Sequence, residues 1–269
     1  MLLLAVCGPR ALAAEDLQAA IGLFDSRHYQ QARMVLEKIL QTDAGNAEAH
    51  AYLGRTYLKL CEYNQAVEQC KSAVELQPDR ADYQFWLGRT YGAKAVHSNP
   101  LVQALLAVKI KKAFERAVEL DPQHVGARYG LGNFYLQAPA AMGGDMHKAL
   151  MQANALIALA APQGKLLLAR IYEREGKAAL AEEIYEGLVR SNGDLAGRGA
   201  VSEAYGRFLL KRGRYDDAIE QFKRQIALDP RDPSGYENLA AAYKAAGRGS
   251  EAQAQRARAA RLTRECSAS

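Results

Sequence analysis

The chain has 269 residues, 49% of them hydrophobic and 24% charged, with a formal net charge of +5 from 35 basic and 30 acidic residues. That balance excludes a disordered chain, and it leaves no dense basic stripe of the kind that holds nucleic acid, so no nucleic-acid partner is expected. No run approaches the roughly 20 apolar residues of a membrane-spanning helix, so no transmembrane segment is expected.

The first residues, MLLLAVCGPRALAAE, join an apolar run from Leu2 to Val6 to Ala11-Leu12-Ala13, a small-residue pattern that a signal peptidase cuts before Ala14. Residues 1–13 are accordingly expected to be a signal peptide, and the protein periplasmic or secreted. No Lys or Arg precedes the run. The alternative of an apolar first helix in a cytoplasmic protein therefore stays open. Behind the leader stand Cys61, Cys70 and Cys266. An odd number without CxxC spacing argues against both a disulfide framework and a zinc site.

Residues 47–80, AEAHAYLGRTYLKLCEYNQAVEQCKSAVELQPDR, carry Leu53, Gly54 and Tyr57 in one half and Ala66, Cys70 and Ala73 in the other, and Pro78 stops the pattern. This spacing resembles the tetratricopeptide repeat, a helix-turn-helix unit of about 34 residues. Laid along the chain, the pattern yields copies at about 13–46, 47–80, 81–124, 125–161, 162–195, 199–232 and 233–266, with 267–269 as a tail. The first is degenerate, with Ala19-Ala20 and Leu23 in place of Leu-Gly and Tyr. The third opens with Trp86, Leu87, Gly88 and Tyr91 and closes with Phe114, Ala117 and Pro122. Between them lie extra residues near 95–104. There Ser98-Asn99-Pro100 reads as an N-cap with proline at the first helical position, and Leu101, Leu105 and Val108 carry a lengthened second helix.

The fourth copy has Leu131, Gly132 and Tyr135, then an insertion near 139–143 in which Pro139 ends a helix, Gly143-Gly144 turn the chain and Asp145 caps the next helix. The block from NFYLQAP to MGG also resembles one in bacterial envelope repeat proteins. The fifth runs through Leu168, Ala169, Tyr172 and Gly176, and SNGDLAGRG forms a Gly-rich joint behind it. Gly206, Ala218 and Phe222 mark the sixth; Leu239, Ala240 and Tyr243 mark the seventh, whose basic last helix reads as a solvated cap. Cys61 takes a turn position that other copies fill with Gly176, Gly213 and Gly247.

The resemblance implies an all-α fold, a right-handed superhelical solenoid of about seven repeats that binds a protein or peptide in a concave groove. In that family the first helix of each copy lines the groove through its second, fifth, ninth, twelfth and thirteenth residues. The ninth positions here include Arg55, Arg89, Asn133, Arg170 and Arg207, and the other groove positions add Lys59, Phe85, Tyr129 and Lys211. Glu48, Glu173, Glu203 and Glu237 stand near as counter-charges. Two readings follow. Either the guanidinium forks face a ligand with acidic side chains or a free C-terminus, or they pair with the glutamates as a ladder of little consequence. The sixth positions, which hold Lys, Asn or Arg in relatives with a carboxylate clamp, are Tyr52, Trp86, Gly130 and Leu167, so that clamp is absent.

No P-loop, GxGxxG, HExxH or GxSxG motif occurs, and His28, His50, His97, His124 and His147 have no partner at metal-ligand spacing. Neither an enzyme activity nor a cofactor is expected. The function expected is that of a non-enzymatic scaffold or adaptor of the bacterial periplasm, with a cytoplasmic regulatory or co-chaperone module as the alternative.

Overall fold

The computed structural model describes residues 9–191 and 195–268, with side chains described at 15–191 and 199–264. Most of the expected signal peptide therefore lies outside the described residues. All described elements are helical, and no strand occurs among them. In chain order they are α1 (Pro9–Asp25), α2 (Tyr29–Thr42), α3 (Ala47–Lys59), α4 (Tyr63–Leu76), α5 (Ala81–Val96), α6 (Pro100–Leu120) and α7 (Val125–Gln137). After a 3-10 turn at Ala140–Met142 come α8 (Met146–Ala158), α9 (Pro162–Arg174), α10 (Ala178–Arg190), α11 (Leu195–Lys211), α12 (Tyr215–Leu228), α13 (Pro233–Ala245) and α14 (Gly249–Ala268). These are seven helix pairs. The chain divides into two compact units, residues 1–130 and 131–268, with the division inside α7.

Within each unit one packing rule recurs. A first helix lies against its own second helix and also against the first helix of a neighbouring pair, as α3 does with α4, α1 and α5, and α11 with α12, α9 and α13. That arrangement aligns first helices side by side, which is why their outward residues form the candidate site. Small residues permit the approach. A Cβ added at Gly54 would lie 2.5 Å from the Cys70 Sγ and 3.1 Å from the Ala66 carbonyl oxygen, and one at Gly206 would lie 2.6 Å from the Phe222 ring. Cys70 is 1% exposed, and burial pushes its thiol up to about 12, against the opposing pull of Thr90 and Arg55. It acts as a small core group.

Five of the seven pairs turn in the same way. The backbone passes through the left-handed region at Arg27 (φ 63°), Cys61 (φ 61°), Gly176 (φ 76°), Gly213 (φ 75°) and Gly247 (φ 75°). Two hydrogen bonds close each turn, as Cys61 N–H to the Leu58 carbonyl and Glu62 N–H to the Tyr57 carbonyl illustrate. This satisfies carbonyls that the helix end would leave open. The two inserted pairs turn differently. Asn99 caps α6 by accepting from the Val102 N–H with Pro100 at the first turn, and Asp145 caps α8 by accepting from the Lys148 N–H.

The structure departs from the sequence expectation in two places. Part of the Gly-rich joint is helical, because α11 begins at Leu195 rather than 199, and residues 192–194 of that joint lie outside the described residues. In α6, Leu101, Leu105 and Val108 continue the helix but stay exposed, since it is the face carrying Leu106 and Val102 that packs against the core of α4 and α5.

Candidate functional site

In the unit of residues 1–130, α3 and α5 present Arg55 and Arg89 at equivalent positions. The Arg55 guanidinium carbon lies 4.7 Å from the Phe24 ring centroid, 4.2 Å from that of Tyr52 and 4.6 Å from that of Trp86. Three rings thus hold one cation, and its buried Nε has no hydrogen-bond partner. Arg89 lies over Phe85 at 5.9 Å and over Trp86 at 5.4 Å. The protein around it lowers its pKa by desolvation, although its side chain keeps an exposed edge. Neither arginine has a carboxylate partner among the described residues.

The physical consequence is specific. Stacking on rings fixes the plane of each guanidinium through its face, and it leaves the N–H edges directed elsewhere. Phe85 serves packing as well, for its ring centroid is 6.1 Å from Phe114 and 4.9 Å from His124, and it fills the space beside Gly126. Tyr129 is half-buried on the first half of α7, and Lys59 is exposed at the end of α3.

In the unit of residues 131–268 the corresponding cations are engaged. Arg170 donates to the Asn133 side-chain oxygen, and Arg174 donates to the Leu136 carbonyl. The Lys211 Nζ lies 2.6 Å from Glu173, and the Arg207 guanidinium 3.0 Å from Glu203, with a further bond of 3.2 Å to Asn238. The glutamate-ladder reading therefore describes this unit. It does not describe the other, where Glu48 makes no ion pair with either arginine among the described residues.

The nine residues singled out from sequence thus fall into three sets: Arg55, Phe85 and Arg89 around shared rings, with Lys59 one turn beyond Arg55 on α3 and Tyr129 on α7; Asn133 with Arg170; and Arg207 with Lys211 beside their glutamates. The aromatic box was missed. Its signal was present, since Tyr52 and Trp86 each stand three residues before an arginine, on the same helix face.

Other chemistry finds little support. A shallow cavity of about 550 Å³ lies among Arg214, Tyr215, Asp216, Asp217 and Arg248, where Arg214 pairs with Asp217 at 2.7 Å and Arg248 with Asp216 at 3.8 Å. Among the described residues no group of His, Cys, Asp and Glu could hold a metal ion, and no helix is long and apolar enough to cross a membrane.

Known proteins share this architecture. The tetratricopeptide repeat family matches residues 23–84, and residues 206–247 match the description TPR repeat. Superkiller complex protein 3 of Mus musculus is 26% identical over 225 residues, which are 81% of this chain but 13% of that protein. A thermophilic TPR protein of Thermus thermophilus superposes with a TM-score of 0.59 at 22% identity, covering 72% of this chain and 98% of the other. A tetratricopeptide repeat protein of Parabacteroides merdae gives a TM-score of 0.63 at 13% identity, covering 95% and 97%.

Proposed function

The chain is a tetratricopeptide repeat protein, and from that premise we propose that it is a non-enzymatic scaffold that holds an acidic peptide or a free protein C-terminus on the first helices of its N-terminal unit. The observation that carries this reading is the pair Arg55 and Arg89, two ring-stacked guanidinium groups with no carboxylate partner among the described residues. A charged donor held on aromatic rings without an anion is a poor stabiliser of the fold and a ready partner for a carboxylate, because a charge-assisted bond to an incoming anion is about twice as strong as a neutral one.

Titration of labelled acidic peptides against the intact protein and against Arg55→Ala with Arg89→Ala tests this. Binding that weakens by about tenfold or more in the double variant supports it, since one such bond contributes roughly 1.5–3 kcal/mol. Unchanged affinity retires it.

The setting that we propose is the bacterial periplasm, on the strength of the apolar run from Leu2 to Val6 followed by Ala11-Leu12-Ala13. Mass spectrometry of the natively produced protein should find Ala14 at the N-terminus. An intact Met1 would favour the cytoplasmic alternative.

A further inference from the structure

The lengthened helix α6 buries Leu106, Ala113, Phe114 and Ala117 and leaves a separate face uncovered. Leu101 is 74% exposed, Leu105 63% and Val108 65%, and Val96 at the end of α5 is 75% exposed. At about 100° per residue the three side chains of α6 fall within roughly 60° of one another, so they form one stripe. Single exposed leucines need no explanation. Four large apolar groups at one corner do.

The polar groups of that corner are already partnered. The Ser98 hydroxyl donates to the Lys94 carbonyl at 2.7 Å, and the Ser98 carbonyl accepts from Gln103 at 2.9 Å. Asn99 accepts from the Val102 N–H at 3.0 Å, and the His97 ring stacks on Tyr63 at 4.5 Å. Removing water from such a corner leaves few dipoles unpaired, which makes its dehydration inexpensive.

Charge completes the pattern. No acidic residue occurs between Asp82 and Glu115, while Arg89, Lys94, Lys109, Lys111 and Lys112 all fall there. Lys111 pairs with Glu115 at 3.7 Å; Lys109 and Lys112 are exposed and make no ion pair among the described residues. At 1.5 Å per residue, Lys109 stands about 6 Å along the axis from Leu105 and about 12 Å from Leu101. An interfacial segment buries its apolar side roughly 5–10 Å below the headgroups, so Leu101 and Leu105 would reach the acyl boundary while Lys109 and Lys112 met the phosphates.

We propose that the α5–α6 corner is a contact site for an anionic lipid surface. A second copy of the chain is a poor occupant. Parallel pairing of the stripe sets lysine against lysine, and antiparallel pairing centred on Leu105 sets Lys109 and Lys112 against Leu101 and Ser98, where no carboxylate stands. A protein partner fits less well too. Hot spots of protein interfaces favour Trp, Tyr and Arg inside a polar rim, whereas this patch is built of Leu, Val and Lys graded along one axis.

The test is co-sedimentation of the full chain with phosphatidylcholine vesicles and with vesicles in which about 40% of the lipid is phosphatidylglycerol. Binding to the anionic vesicles is expected, to be lost at about 0.5 M salt. It should weaken by about tenfold or more in Leu101→Glu with Leu105→Glu, and by a similar factor in Lys109→Ala with Lys112→Ala. All four side chains are exposed, so both variants should keep the parent melting curve. Absence of vesicle binding overturns the proposal. So does binding that neither variant weakens, which would place the contact elsewhere on the chain. A dimer that Leu101→Glu with Leu105→Glu dissolves, or an acidic protein captured through the stripe while vesicles stay unbound, overturns it equally.

Discussion

The two units are built from the same repeat and treat their cations in opposite ways. In residues 131–268, Arg170, Arg207 and Lys211 are bonded to Asn133, Glu203 and Glu173, whereas in residues 1–130 Arg55 and Arg89 rest on Phe24, Tyr52, Phe85 and Trp86 with no anion among the described residues. The turns inside the helix pairs differ as well: their left-handed residue is Gly176, Gly213 or Gly247 in the second unit and Arg27 or Cys61 in the first, while Ala160 takes that region between two pairs of the second unit. A side chain in that region adds strain of roughly 1–2 kcal/mol. Internal partners thus quench one surface, while aromatic stacking keeps the other available.

The packing that both units share can be broken most severely. Gly54→Leu drives a side chain into Cys70 and the Ala66 carbonyl, and it should destabilise the first unit by about 1–3 kcal/mol or more, read as a lowered melting temperature. The same pair predicts an alkaline effect of the thiol in this unit, since Phe222 occupies the place beside Gly206 that Cys70 occupies beside Gly54. The folded Cys70 thiol is raised from 9.0 to about 12, so above 9 the unfolded chain releases its proton first. Stability contributed by the buried thiol is therefore complete below about 9 and declines as the pH rises toward about 12. Denaturant unfolding of Cys70→Ala should show a shallower alkaline decline than the parent.

For binding, the units separate. Arg55→Ala with Arg89→Ala should weaken an acidic peptide about tenfold or more, whereas Arg207→Ala with Lys211→Ala should change its affinity less than about threefold, because those cations are already paired. Equal losses in a fluorescence titration would erase the distinction. The turns offer a contrast of similar size in stability. Gly213→Ala should lose about 1 kcal/mol in denaturant unfolding and Cys61→Gly should gain up to about 1 kcal/mol. The smallest effect belongs to the ladder. Glu173→Gln with Glu203→Gln frees Lys211 and Arg207 and should raise acidic-peptide affinity about two- to fivefold, in line with the small energy of exposed pairs.

Much of the fold was legible in the residues themselves. Leu53, Gly54 and Tyr57 mark a first helix that must meet a second at close range, and Gly176, Gly213 and Gly247 mark turns whose dihedrals exclude most side chains. Asn99 before Pro100, and Asp145 behind Gly143-Gly144, announced two helix starts that the structure places there. The Gly-rich joint misled, because Leu195 to Gly199 lie in a helix that runs into Val201 and Tyr205, both buried, and packing outweighs the weak helix propensity of glycine.

Sequence alone determined the repeat, its all-helical character and the helix faces that carry Arg55, Arg89, Arg170 and Arg207, since these follow from local spacing and turn chemistry. Only the tertiary structure decided which arginines stack on rings and which are paired, and that Leu101, Leu105 and Val108 remain uncovered. Those outcomes depend on residues far apart in the chain, such as Phe24 and Trp86 meeting at Arg55, and no local pattern encodes a distance that packing sets.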